Sequence, residues 1–301
     1  MASIRKSGLN SMTSTKSILG IVLSLCMSLG VVAALGQGGI DLSGFSVIFV
    51  CWVIAFSANW IMFVPAYAYK TEHYYDLTGS ATYICVTFTA LACAPDLTAR
   101  DVILGSLIMV WALRLGFFLF SRIRRQGVDV RFNKIKQDFW WFLMTWTLQG
   151  LWVFLTLCTA ITAITSGHKQ PLGLFAGIGV MLWLVGFSFE VVADRQKSVF
   201  RNDESNTKAF ITTGLWSYSR HPNYFGEMIL WIGIAMIAAP VLVGWQWVAL
   251  ISPLFVIFLL TKVSGVQLLE SQALRRWGDD PEYRRYLETT PSLIPRLPKI
   301  F

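Results

Sequence analysis

The sequence predicts an all-α fold: a polytopic membrane bundle of about seven or eight transmembrane helices with both termini in the cytoplasm. Three observations predict it. Of 301 residues, 55% are hydrophobic and 14% charged, and the mean hydropathy is +0.57, which is too apolar for a soluble domain of this length. The apolar residues gather into runs of membrane-crossing length separated by short polar gaps. The cations fall almost entirely on one side of those runs.

The elements follow in order. Residues 1–16, within "MASIRKSGLNSMTSTKS", form a basic tail without an acid, a composition shared with targeting signals. The apolar run from Ile18 to Leu35 is long for a signal peptide, so a retained first helix is expected. Spans are expected at about 17–36, 44–66, 80–95, 102–120, 140–165, 172–193, 225–240 and 246–263, the third and seventh being short against the roughly 20 residues that a bilayer needs. Eight crossings put both ends on one side. Of the 25 Lys and Arg residues, only Arg100 and Lys169 then fall in outward loops and Arg114 lies inside a span. The rest lie on or beside the inner face, as basic loops retained in the cytoplasm do. The net charge of +8 is thereby explained as topology, and no nucleic-acid partner is expected. The lipid bilayer is the expected surrounding, a bacterial inner membrane the expected host.

No repeat or low-complexity linker interrupts the chain, so 17–301 reads as one membrane-embedded domain, with its polar, ligand-facing part at about 186–301. Five cysteines sit in apolar segments without CxxC spacing and read as small buried hydrophobes. His73, His168 and His221 are scattered over three loops, so no metal centre is expected.

Four groups of residues could carry chemistry. In "FEVVADRQKSVFRN", Glu190, Asp194, Lys197 and Arg201 are spaced i, i+4, i+7 and i+11, which on a helix puts them within roughly 60° of one another. Ion pairing on a solvated face accounts for most such stripes. Glu190 lies at the bilayer boundary, however, where an ionisable group usually faces a partner or a cavity. In "GLWSYSRHPNYFGE", Pro222 suits the first helical turn, which makes His221 the cap and puts Asn223 and Glu227 on one face. A helix N-terminus beside Arg220 is a seat for phosphate. Trp216, Tyr218 and Tyr224 offer surfaces for a flat ring, with interfacial anchoring as the plainer account.

The third group follows the last span, where Glu270 precedes Arg275, Arg276, Tyr283, Arg284 and Tyr286. A basic helix on acidic headgroups explains it equally well. The fourth is Arg114, near the middle of its span, where a cation is costly enough to be a functional candidate. Glu190, Asp76 or a bound anion are its possible partners, and Arg122, Arg124, Asp129 and Arg131 follow at the inner surface.

The segments "ADRQKSVF", "GLWSYSRHPNYFGE", "PLFVIFLLTKVSGVQLLE" and "PEYRRYLETTPSLIP" resemble the steroid 5α-reductase-like membrane proteins, in their DUF1295 branch, over roughly residues 70–301. The RHPNYFGE core is shared with sterol C14 reductases and isoprenylcysteine carboxyl methyltransferases, while "ADRQKSVF" favours the reductases. The resemblance implies an enzyme that takes NADPH from the cytoplasmic side and reduces a carbon–carbon double bond in a hydrophobic steroid-like or isoprenoid enone. It implies a cofactor site of Asp194, Arg201, Asn223, Tyr224 and Glu227, with Glu270 and Tyr286. The residue reading adds Glu190, Lys197, Trp216, Arg220, His221 and Arg114. No GxGxxG fingerprint follows a strand, so the dinucleotide would be held without a Rossmann unit.

At the substrate end the family uses an acid and a tyrosine to polarise the enone carbonyl. Alignment on Arg114 puts Asp76 near the acidic position and Trp111 where the tyrosine would be. A Trp cannot act as a general acid, which leaves Tyr74, Tyr75 or Tyr83 for the role. Asp76 and Tyr83 are the catalytic candidates. An S-adenosylmethionine-dependent lipid or prenyl-cysteine methyltransferase is the alternative, because the same helix terminus and aromatic groups could hold that cofactor. A non-catalytic membrane protein or a transporter is the third reading.

Overall fold

The computed structural model describes residues 2–126 and 132–296, with the side chains of 2–13 and 122–126 outside the description. The architecture is helical. The only strands among the described residues are the two-residue β1 (Asp41–Leu42) and β2 (Phe45–Ser46), paired antiparallel with Asp41 opposite Ser46.

Among the described residues, seven helical segments are long and apolar enough to cross a membrane: Ser14–Leu35, Val47–Ala68, Ala99–Ser121, Phe139–Ile164, Leu174–Asn202, Pro222–Val241 and Gly244–Trp277. The chain is a multi-pass helical membrane protein. The expected third span exists as a helix of 19 residues, Tyr75–Cys93, yet it is not among the seven. The reason is its hydroxyl content. Thr78, Ser80, Thr82 and Thr87 are all buried in it, and Thr78 and Thr82 return their hydroxyl protons to the carbonyls of Tyr74 and Thr78 at 2.7 Å. Back-bonding of this kind lets hydroxyls sit among apolar neighbours at low cost.

By its internal contacts the chain divides into two compact units. The first comprises Met1–Leu172 with Ala238–Ile251. It contains α1 (Ala2–Leu35), α2 (Val47–Ala68), α3 (Tyr75–Cys93), α4 (Ala99–Gln126), the single turn α5 (Phe132–Ile135) and α6 (Phe139–Ile164). Residues 2–16 of the expected basic tail are helical and continuous with the first span. Caps fix two helix starts: Ser46 accepts from the amide of Phe49 at 3.2 Å, and Asp138 from that of Trp141 at 2.9 Å, each satisfying an otherwise orphaned amide. α6 is apolar all round and touches α1, α2, α3 and α4, the pattern of a helix central to its unit. A Cβ on its Gly150 would stand 3.0 Å from the Ala55 carbonyl of α2, so the two backbones lie close.

The second unit comprises Gly173–Ile237 with Ser252–Phe301. α7 (Leu174–Asn202) runs past the expected end at about 193, since no Gly or Pro interrupts Asp194 to Asn202. α8 (Pro222–Ala238) begins where the Pro signal places it, and the amide of Phe225 donates to the His221 carbonyl at 3.1 Å. α9 (Ile251–Phe258) passes through a π turn at Leu259–Val263 and stops at Gly265, after which come α10 (Val266–Trp277) and α11 (Pro281–Thr289).

Two glycine pairs set the α7–α8 packing. A Cβ on Gly186 would lie 2.5 Å from the Gly226 carbonyl oxygen, and one on Gly179 would lie 2.6 Å from that of Gly233. Both pairs recur at a seven-residue step in each helix, so the seam is continuous, as small residues permit in membranes.

Candidate functional site

The polar stripe of α7 lies along this seam. A Cβ on Gly226 would also come within 2.7 Å of the Glu190 backbone nitrogen. Glu190 and Asp194 are 4% and 9% exposed. One turn beyond Gly226 toward the α8 N-terminus, Asn223 donates its side-chain amide to Asp194 Oδ1 at 3.2 Å. Tyr224 and Glu227 are half-buried on α8. The structure thus brings Glu190, Asp194 and Asn223 together from separate helices.

Further along α7, the Lys197 ammonium stands 4.5 Å from the centre of the Trp216 ring, within the range of cation–π attraction. Trp216 is buried and donates its indole N–H to the Ala193 carbonyl at 3.1 Å. Tyr286 donates to the Trp216 carbonyl at 2.6 Å, and burial pushes its phenol above the ordinary value, with Arg220 opposing. Tyr286 is in this way a strut beneath Trp216. Arg201, at the outer end of the stripe, is exposed.

Arg220 is heavily committed. Its Nε and Nη2 donate to Glu270 Oε1 at 3.1 and 2.7 Å, and its Nη1 donates to the carbonyls of Leu287 and Thr290 at 2.9 and 2.8 Å. Ser292 adds a hydroxyl to the same Glu270 oxygen at 2.8 Å. Arg220 and Glu270 therefore tie α10, α11 and the following segment to the start of α8, and little of this guanidinium is left for a phosphate.

His221 is 6% exposed and stacks on Tyr224, with ring centroids 5.7 Å apart and planes 9° from parallel. Its Nε2 is 3.4 Å from Glu270 Oε1, at the long limit of a hydrogen bond, and neither ring nitrogen has a short partner. Burial lowers its pKa below the usual 6.5; Glu270 opposes this, and the cations Lys197 and Arg220 add to it. Burial thus favours the neutral ring.

The candidates Asp76, Tyr83 and Arg114 belong to the first unit. Asp76 is in the first turn of α3. Tyr83 is buried and meets Trp111 edge to face, with centroids 5.0 Å apart at 89°. The aromatic that occupies the family's tyrosine position is thus a direct neighbour of Tyr83. Arg114 lies 5.2 Å from the Phe118 ring centre. The side chains of Arg122 and Arg124, and Asp129 and Arg131, lie outside the described residues.

Sequence reasoning passed over several residues. Ser219, fully buried, accepts the His221 amide at 3.1 Å and donates to the Leu293 carbonyl at 2.8 Å. Gln196 accepts the Leu215 amide at 2.9 Å beside Gly214, whose φ of +63° favours glycine. The glycines of the seam carried a readable signal, because Gly179/Gly186 and Gly226/Gly233 share one spacing.

Fold and site together define a multi-pass helical membrane protein with a polar seam at the boundary of two of its helices. The chain belongs to the DUF1295 family, described as a protein of unknown function, whose profile matches residues 62–290. That family is related to the steroid 5α-reductase-like membrane proteins. The chain is 24% identical over 231 residues to an uncharacterized protein of Schizosaccharomyces pombe, covering 66% of this chain and 64% of that protein. It is 29% identical over 124 residues to the probable O-methyltransferase ustE of Ustilaginoidea virens, covering 35% of this chain and 44% of that protein. The chain thus spans less than two thirds of the length of either relative. No solved structure matches it.

Proposed function

We propose that the protein is an NADPH-dependent reductase of a carbon–carbon double bond in a hydrophobic enone. The observation that carries this reading is the two-ended character of the α7 stripe. Glu190 and Asp194, with Asn223, form a buried acid and amide end, while Lys197 and Arg201 form a basic end. The eleven residues from Glu190 to Arg201 cover about 16 Å at the helical rise. A phosphorylated dinucleotide has this polarity along its length, with amide and hydroxyl groups toward one end and phosphates toward the other.

The residues fit such a group in chemistry. Lys197 and Arg201 would hold phosphates, and the extra 2′-phosphate of NADPH rewards cations. Asn223, Tyr224 and Glu227 would orient the amide end, and the buried ring nitrogens of His221 offer it an unused donor and acceptor. The bound cofactor would supply the hydride. The protein's part is to position the reactants and exclude water. Saturating the double bond also takes up one proton; the resemblance places Asp76 near the family's acidic position, and Tyr83, beside the Trp111 that replaces the family's tyrosine, would share the carbonyl polarisation.

One observation favours a second reading, S-adenosylmethionine-dependent methyl transfer: the fungal relative is named as an O-methyltransferase. Binding separates the two. In a thermal-shift titration of the detergent-purified chain, NADPH is expected to raise the melting temperature and S-adenosylmethionine to leave it unchanged; the reverse result rejects the reductase. The double variant Asn223→Ala, Glu227→Ala is expected to weaken NADPH binding at least tenfold while its ligand-free melting stays cooperative.

A further inference from the structure

On the face of α7 opposite the polar stripe, the second unit has a cleft of about 460 Å³. It is lined by Val192, Arg195, Gln196, Val199, Asp203 and Asn206, among others. Val192, Arg195, Gln196 and Val199 fall roughly 180° around the helix from Glu190, Asp194, Lys197 and Arg201, and Asp203 and Asn206 follow just past its end. The reading proposed above leaves this cleft without a role.

Its chemistry changes in order along the helix. Counted from Leu174, about 20 residues cross the hydrocarbon layer and bring α7 to the polar boundary near Asp194. Val192, 43% exposed, is on the hydrocarbon side of that level. Arg195 comes next, is exposed, and makes no hydrogen bond or ion pair with the described residues. Val199, 64% exposed, gives the cleft an apolar wall. Asp203 lies eight residues beyond Arg195, about 12 Å farther out at the helical rise. One of its carboxylate oxygens, Oδ1, accepts the Ser205 hydroxyl at 2.6 Å and the Ser205 amide at 3.0 Å. Those bonds hold its carboxyl below the ordinary range, so it is an anion at neutral pH. Asn206 donates its amide to the Phe200 carbonyl at 3.2 Å, which turns its own side-chain oxygen into an available acceptor.

From the membrane outward the cleft therefore presents an apolar surface, a cation, the apolar wall of Val199, and an anion with the Asn206 acceptor beside it. We propose that it is a binding site for phosphatidylethanolamine. In that lipid the outward order is acyl chain, phosphate anion and primary ammonium, the complement of the cleft at each level. Arg195 pairs with the phosphate as a forked donor. The ammonium has three N–H donors for Asp203 and Asn206. Phosphatidylcholine has the same charges without N–H donors, phosphatidylglycerol has no cation for Asp203, and phosphatidylserine adds a carboxylate that Asp203 repels.

Native mass spectrometry of the full chain, released from detergent containing equal amounts of the ethanolamine, choline and glycerol lipids with identical acyl chains, tests this. The ethanolamine adduct is expected to exceed each of the others at least threefold. Stepwise N-methylation of the headgroup is expected to erode that preference as N–H donors disappear, a readout that needs no variant. Asp203→Ala, which removes the charge and the acceptor together, is expected to bring ethanolamine and choline adducts toward the same level, and Arg195→Gln to reduce both. Equal adducts for the wild-type chain, stronger binding of phosphatidylglycerol, or a preference that survives both substitutions would overturn the proposal. Since the cleft is on the other face of α7, NADPH binding is expected to be unchanged in both variants, which separates this test from that of the cofactor site.

Discussion

Gly186 and Gly226 face each other so closely that a Cβ on the first would stand 2.5 Å from the carbonyl oxygen of the second. That contact fixes the register of α7 against α8, and the hydrogen bond from Asn223 to Asp194 follows from it two turns farther along α7. The candidate site is thus built by two residues that have no side chains.

Gly186→Ala and Gly226→Ala force the helices apart, because the obstructing atoms are backbone. Overpacking of this kind costs about 1–3 kcal/mol, and it also separates Asp194 from Asn223. Both variants are expected to melt earlier in detergent and to lose cofactor affinity. Gly177→Ala is the control, since nothing lies within 4 Å of a Cβ there. In a helix that change is neutral or stabilises by about 0.5–1 kcal/mol. Equal melting temperatures for Gly177→Ala and Gly186→Ala would disprove the close seam.

Much of this was legible in the sequence, for reasons that differ by element. Apolar runs locate the spans because the bilayer leaves few alternatives to a helix. The start of α8 was legible because Pro222 has one favourable place in a helix. The committed state of Arg220 was not, since two of its acceptors are the carbonyls of Leu287 and Thr290, and every residue offers a carbonyl. The status of α3 was blurred because its threonines satisfy themselves within the helix. The extent of α7 beyond the apolar run was hidden by a polar composition that reads equally well as helix or loop. The stripe formed by Glu190, Asp194, Lys197 and Arg201 was readable from spacing alone, but its burial against α8 depends on glycines that hydropathy does not weigh.

His221 gives the second unit a defined response to pH. Its pKa is lowered in the folded chain, first by burial, so below the unfolded value of 6.5 the unfolded chain binds the extra proton more readily. Stability is then fully present above pH 6.5 and falls as the pH drops toward the folded pKa. Melting temperatures of the wild type are expected to decline from pH 7 to 5.5, a range above most carboxylate titrations. His221→Gln keeps a polar side chain without that proton equilibrium and is expected to flatten the decline. An identical slope in the variant would assign the pH response to another group.

The two cations that the charge reading leaves on the outer side, Arg100 and Lys169, are both held locally in the first unit. Arg100 donates to the Pro171 carbonyl at 2.8 Å. Lys169 donates to Asp101 Oδ2 at 2.9 Å and to the Ile164 carbonyl at 2.8 Å, and the same Asp101 oxygen accepts the amide and hydroxyl of Thr98 at 2.9 and 2.8 Å. The Asp101 side chain is 1% exposed and that of Lys169 24%. This asymmetry decides the outcome of a double-mutant cycle. Lys169→Met strands a buried carboxylate, at a cost of about 3–5 kcal/mol. Asp101→Asn keeps an acceptor for Thr98 and leaves an ammonium that can turn toward water, so its cost is smaller. With both changes the stranded Asp101 carboxylate is gone and Arg100 is the buried charge left beside it, and the double variant is expected to be more stable than Lys169→Met alone. Additive losses would mean that the pair is uncoupled, and that Lys169 stays on this side of the chain for some reason other than Asp101.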